Sequence, residues 1–291
     1  MLDLTKLYPV ERAVLEAAGG KISSEGAVDH IITSGEYMVP VRMYPRKNAR
    51  KLMIYIHGGG WATESIDTYD GVCRSISEDL HCHVISVEYS LSPEKKFPYA
   101  LNECIAVITE VQKNIRIFGL SEEDIVLCGD SAGGNLAAAA CTLLRDRENI
   151  PISKLILLYP VTGSDYSEDS PFESVHTKGK GYTLTARHMR DYVILYMNTP
   201  EDLKSPYFTL LNGTDYSDMP DTLIFTAEND PLCSEGTEYA HRLAKAGNLV
   251  KHYRVRGASH GFFKDHRSKA SSKARKIMRD FLKGGVADGG K

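Results

Sequence analysis

The 291 residues carry 35 Lys and Arg against 38 Asp and Glu, a formal net charge of −3, with 42% hydrophobic and 25% charged residues. That balance argues against a basic nucleic-acid-binding surface, and the apolar fraction is enough for a core, which excludes disordered, collagenous and coiled-coil chains. No run of about 18 apolar residues occurs, so no membrane span is expected.

In chain order, Met1–Gly20 lacks the apolar core of a signal peptide, because acidic residues and Pro9 interrupt it. Val28–Tyr44 reads as an antiparallel strand pair. Short, nearly continuous apolar runs follow at Leu52–Ile56, Val84–Glu88, Ile125–Cys128, Leu155–Tyr159 and Thr222–Ala227, the pattern of strands covered on both faces. Val250–Val255 alternates more and suits a sheet edge. Helices are predicted between them. Val72, Ile76 and Leu80 form one stripe, and Leu101, Ile105 and Ile108 form another after Pro98. Asn135–Leu144 is apolar nearly all round and should be buried. Tyr239, Leu243 and Ala246 form a stripe closed by Gly247, and Ala274, Ile277 and Phe281 mark a final helix. This alternation implies a mostly parallel sheet with helices on both faces.

Val161–Thr214 breaks the alternation. It is a long insertion rich in Tyr, Ser and Asp, with a helical stretch near Thr185–Met197, and insertions of that length are usually functional. The Gly-rich tail Gly284–Gly290 is expected to fray. Cys73, Cys82, Cys104, Cys128, Cys141 and Cys233 form no CxxC pair and mostly sit in apolar stretches. They read as reduced core thiols of a cytoplasmic protein.

Gly129-Asp130-Ser131-Ala132-Gly133 is a G-x-S-x-G that follows a strand and opens the buried helix. That context puts a serine hydroxyl on a tight turn above the sheet, with helix N–H groups facing developing negative charge. A plain strand–turn–helix is the competing reading. His57-Gly58-Gly59-Gly60-Trp61 follows another strand. Its glycines allow close backbone approach, and the N–H groups of Gly58, Gly59 and Ala132 are the expected oxyanion donors. His57 is expected to orient this loop rather than act as the base. No G-K-[ST] follows, which disfavours a phosphate loop.

A serine nucleophile needs a base, and the base needs an orienting carboxylate, in the chain order Ser, acid, His. Asp230 lies just past the strand Thr222–Ala227, with Glu228 as its rival. His260 lies just past the last strand, after one intervening helix and strand. His241, His252 and His266 are read as surface or packing residues, and His81 and His83 precede Ser131 at a helix-to-strand turn.

On these residues the chain resembles hormone-sensitive-lipase-like esterases of the α/β-hydrolase superfamily, in the GDSAG subgroup. The resemblance spans roughly residues 51–282. It rests on HGGGW at His57–Trp61, GDSAGGNLA at Gly129–Ala137, DPL at Asp230–Leu232 with Glu235-Gly236, SHGF at Ser259–Phe262, and the YSLSPE segment starting at Tyr89. It implies an α/β-hydrolase fold in which Ser131 is the nucleophile, Asp230 the acid and His260 the base. It implies a serine carboxylesterase acting on short- to medium-chain esters, without metal or organic cofactor. A deacetylase of acetylated sugars and a non-catalytic receptor on the same scaffold are the alternatives.

Ser90 and Ser92 stand where the family commonly has Arg and Ala, and Cys233 and Ser234 where it has Arg and Asp. The N-terminal arm is short. A single domain over residues 1–291 is expected, with a reduced cap from about 1–27 and 162–214. The insertion's aromatic rings either pack this cap or line the pocket, and Trp61, Tyr207 and Phe208 are the expected pocket wall. A small-molecule ester is the expected partner, with no nucleic acid and no membrane. The edge strand suggests a homodimer.

Overall fold

The computed structural model describes residues 26–148 and 152–284. The first arm of the predicted cap, the signal-peptide reading and nearly all of the Gly-rich tail therefore lie outside the described residues.

Eight strands form one sheet in the order β1-β2-β4-β3-β5-β6-β7-β8. They are β1 Val28–Ser34, β2 Tyr37–Tyr44, β3 Leu52–Ile56, β4 His83–Val87, β5 Ile125–Asp130, β6 Lys154–Leu158, β7 Asp221–Asn229 and β8 Val250–Ser259. The expected antiparallel pair is β1 and β2, joined by a two-residue turn in which Gly35 has φ +59°. From β4 to β8 every neighbouring pair is parallel.

The continuous apolar runs are explained by parity. Leu52, Ile54 and Ile56 of β3 face one core, and Met53 and Tyr55 face the other. Strand side chains alternate between faces, so a run apolar at every position belongs to a strand with helices on both sides. Helices α1 (Asp70–Leu80) and α7 (Lys269–Leu282) cover one face. Helices α2 (Tyr99–Asn114), α3 (Ala132–Glu148) and α6 (Cys233–Lys245) cover the other. The small-residue run Ala137–Ala140 on α3 is fully buried, which allows that helix to lie close to the sheet.

The insertion after β6 contains α4 (Glu173–Lys178) and α5 (Ala186–Tyr196). The second matches the predicted helical stretch, and Thr185 caps it by accepting from the His188 N–H. The first has six residues, too few to show an apolar period. No helix among the described residues is long and apolar enough to cross a membrane.

Both final strands outrun their predicted ends. β8 continues to Ser259 because an irregularity opposite Ala227–Asn229 lets the β7–β8 pairing resume at Asn229 and Ser259. This brings the loops carrying Asp230 and His260 to the same end of the sheet as Ser131.

Candidate active site

Ser131 follows the last residue of β5 with φ +54°, a left-handed turn that a non-glycine residue adopts only when its surroundings enforce it. Its N–H donates to Leu158 O, and its carbonyl accepts from Val161 N and Asn135 N. The turn leaves no room beside it. A Cβ on Gly133 would stand 2.0 Å from Ile56 O, and one on Gly129 would stand 2.3 Å from Gly133 O. That crowding is the physical content of the two glycines in G-x-S-x-G.

The structure brings the three predicted side chains together. His260 Nδ1–H donates to Asp230 Oδ2 over 2.7 Å. This sets the tautomer in which Nε2 accepts the Ser131 hydroxyl, 2.9 Å away. Asp230 is fully buried, and its second oxygen accepts the Leu232 N–H. The Tyr159 ring packs edge-to-face with the imidazole, ring centres 4.8 Å apart. Glu228, the rival acid, instead accepts the Gly257 N–H and ties the end of β7 to β8. The other histidines lie elsewhere: His252 pairs with Thr226, and His83 accepts from Arg46 N–H.

The glycine loop corrects one expectation. Gly58 N–H donates to Asp130 Oδ1 at 2.9 Å, so it is already committed to that carboxylate. The amides of Gly59, Gly60 and Ala132 have no acceptor among the described residues. Gly59 and Gly60 line the cavity beside Ser131, and Ala132 opens α3, where no intrahelical acceptor exists. The available donors are therefore Gly59, Gly60 and Ala132. Motif spacing could not distinguish Gly58 from Gly60, because the choice depends on a carboxylate more than 70 residues away.

Asp130 is what the motif reading missed. It is buried, and it accepts from Gly58 N–H and the Tyr55 and Tyr69 hydroxyls. Burial pushes its carboxyl above the ordinary range, and the two tyrosine hydroxyls work against that rise. Tyr55 was the available signal, since a tyrosine inside a fully buried strand needs a partner for its hydroxyl. His57 does orient the loop as expected. Its Nδ1 bonds Gly58 O at 2.8 Å, its ring stacks on Tyr89, and burial lowers its pKa to about 4, so the imidazole is neutral.

The expected pocket wall is also corrected. Trp61 and Phe208 are each only 1% exposed, and Trp61 stacks on Tyr196 with ring centres 4.5 Å apart. Tyr207 turns outward and donates to Asp146. None of the three lines the cavity of about 700 Å3 that contains Ser131 and His260. Thr63, Glu64, Tyr69, Leu184, Met189 and Tyr192 do. The apolar aromatics gained more by packing the insertion onto the sheet, while α5 supplies the wall. A Cβ on Gly60 would strike the Tyr192 ring at 2.3 Å, so that ring rests directly on the glycine loop.

Three of the departures from the family pattern, Ser90, Ser92 and Ser234, make local hydrogen bonds. Ser90 donates its N–H and hydroxyl to Glu103, and Ser92 N–H donates to Trp61 O. Ser234 and Ser174 exchange hydrogen bonds, and the Ser174 hydroxyl donates to Pro231 O, next to Asp230. Glu235 is fully buried at the start of α6 and accepts from Thr162 N–H, Gly163 N–H and the Tyr166 hydroxyl. Burial raises its pKa to about 7. No group of three or more His, Cys, Asp or Glu among the described residues could hold a metal ion.

A partly exposed imidazole between a buried carboxylate and a serine hydroxyl, with free amides beside the serine, is equipment for acyl transfer. The fold and this site define a hydrolase of the α/β class. A family model described as alpha/beta hydrolase fold matches residues 53–264, and the chain belongs to that family, in its hormone-sensitive-lipase-like esterase branch. It is 37% identical to an arylesterase of Saccharolobus solfataricus over 230 residues, 78% of this chain and 74% of that protein. It is 31% identical to an ethyl acetate hydrolase of Pseudomonas putida over 240 residues, 80% and 74% of the two chains. Among solved structures, a hyperthermophilic esterase from the archaeon Pyrobaculum calidifontis superposes with a TM-score of 0.86 at 30% identity, covering 97% of this chain and 94% of that one.

Proposed function

We propose that this chain is a serine carboxylesterase in which Ser131 is the nucleophile, His260 the general base and acid, and Asp230 the group that orients and stabilises the imidazole. The observation that carries the assignment is the unbroken relay from Asp230 through His260 to Ser131, at 2.7 and 2.9 Å, opening on the cavity. The esterase relatives support the reaction type.

Ser131 Oγ attacks the ester carbonyl as His260 Nε2 takes its proton. The carbonyl oxygen becomes an oxyanion held by the N–H groups of Gly59, Gly60 and Ala132. Collapse expels the alcohol, which receives the proton from Nε2, and leaves an acyl-Ser131. Water, deprotonated by the same nitrogen, then releases the carboxylic acid. Acetyl to medium-chain acyl groups are the proposed range.

Residues 162–214 serve as the cap, a role supported by the contact of Tyr192 with Gly60. β8 is an edge strand, and a homodimer paired along it is the proposed assembly; light scattering at high concentration giving a monomer mass would rule it out. Six free, buried cysteines support a reducing, cytoplasmic setting, which fractionation of the producing cell would check.

The primary test is hydrolysis of p-nitrophenyl acetate, butyrate and octanoate by wild type and Ser131→Ala. Wild type should turn over the short esters, and the variant should lose about 10⁴- to 10⁶-fold in kcat. Undiminished turnover by the variant would defeat the mechanism.

A further inference from the structure

Glu64 lies on the wall of the Ser131 cavity and takes no part in the relay. Three observations single it out. Its backbone is left-handed, φ +72°, a conformation that disfavours any side chain and persists where function or packing requires it. Its Oε1 accepts the Lys264 ammonium, which joins the glycine loop to the loop carrying His260. Its Oε2 is buried and has no hydrogen-bond partner, with the side chain only 11% exposed. A buried carboxylate oxygen without a donor is costly, and a ligand that supplies one removes the cost.

The chemistry of that ligand follows from the pair. Lys264 Nζ has three N–H groups and commits one to Glu64, while lying over the Tyr69 ring at 5.7 Å. The wall therefore offers an acceptor oxygen beside free donors. An anionic group would meet the Glu64 carboxylate, and a cationic group would meet the Lys264 ammonium. A neutral group that both donates and accepts suits both, and adjacent hydroxyls do so. An alkyl alcohol supplies nothing to Oε2.

We propose that Glu64 and Lys264 form a polar subsite for the alcohol part of the substrate, selecting esters of polyhydroxylated alcohols, such as glycerol or sugar acetates, over esters of simple alkyl alcohols. The inference rests on the ester-hydrolase reading and can fail separately from it.

Glyceryl monoacetate and propyl acetate test it, since they share the acetyl group and a three-carbon alcohol and differ in two hydroxyls. The readout is the ratio of their kcat/KM values. Wild type should favour the glyceryl ester about 10-fold or more, the discrimination expected of a hydrogen bond to a charged group. In Glu64→Gly, which also relieves the left-handed backbone, the ratio should fall towards one through a higher KM for the glyceryl ester. Lys264→Met should lower the ratio in the same direction, and carries the test if Glu64→Gly turns over neither ester. A wild-type ratio near one overturns the proposal. So does an unchanged ratio in the variants, because a bridge that only braced the loops would slow both esters together. Failure of wild type to hydrolyse p-nitrophenyl acetate would overturn the proposal together with the esterase reading it rests on, whereas hydrolysis with no preference for the glyceryl ester overturns the proposal alone.

Discussion

The Gly58 amide donates to the Asp130 carboxylate at 2.9 Å, fastening the glycine loop to the residue just before Ser131. Ser131 and the glycine loop with its free Gly59 and Gly60 amides are thereby tied to each other. The same carboxylate anchors Tyr55 from β3 and Tyr69 at the head of α1.

Asp130→Ala leaves three buried donors without an acceptor. Urea unfolding should show a loss of about 2–5 kcal/mol, the cost of breaking a buried charged network. Asp130→Asn retains an oxygen for Gly58 and Tyr55 and should lose less. kcat should fall in Asp130→Ala, where Gly59 and Gly60 lose the brace on Gly58, and less in Asp130→Asn, where the retained oxygen keeps it.

At Gly59 the backbone has φ +106°, and an added Cβ would stand 2.3 Å from Thr63 O. Gly59→Ala must therefore move an amide assigned to the oxyanion. Steady-state kinetics on p-nitrophenyl acetate should show kcat reduced by about 10²–10³, the effect of losing one donor. KM should change little, because the ground-state ester carries no oxyanion.

Asp230→Asn tests the orienting role. An amide in place of the carboxylate can present N–H to Nδ1, which favours the imidazole tautomer that points a proton at Ser131. A kcat loss of about 10⁴ with near-native circular dichroism is expected. A loss below tenfold would move the orienting role away from this residue.

His57 is neutral in the folded protein down to a pKa of about 4, against an ordinary value of 6.5. Its folded pKa is depressed by burial, so its contribution is fully present above pH 6.5 and is lost as pH falls towards 4. Urea unfolding between pH 7 and pH 4 should show stability falling on acidification, with a shallower fall in His57→Asn.

Glu235 behaves in the opposite sense. Its folded pKa of about 7 lies above the ordinary 4.5, so the folded state holds a proton that the unfolded state releases. Stability from this group is fully present below pH 4.5 and declines as pH rises to 7. The melting-temperature difference, Glu235→Gln minus wild type, should grow over that window and level off above it.

Much of this molecule is legible in the sequence because its signals are local. The strand runs, the stripe on α6 closed by Gly247, and the G-x-S-x-G turn are each written in consecutive residues, where backbone sterics and side-chain period act. Asp230 and His260 are legible through a chain-level rule, that functional groups in open α/β sheets gather where parallel strands end. The aromatic residues were harder. Trp61 and Phe208 have the size and position of pocket residues, yet they pack on Tyr196. Hydrophobic burial is non-directional, and nothing in a linear chain says which apolar surface an aromatic ring will cover.

By itself the sequence determined the fold class and the family, because periodicity and tight-turn sterics operate within a few residues, and strand-end placement made Ser131, Asp230 and His260 its candidates. Only the tertiary structure decided which glycine amides are free, what the Asp130 carboxylate holds, and that Glu64 and Lys264 meet beside Ser131. Those outcomes depend on hydrogen bonds between residues up to 200 positions apart. A donor's single proton goes to whichever acceptor folding brings within about 3 Å, and that distance is set by the packing of the whole sheet.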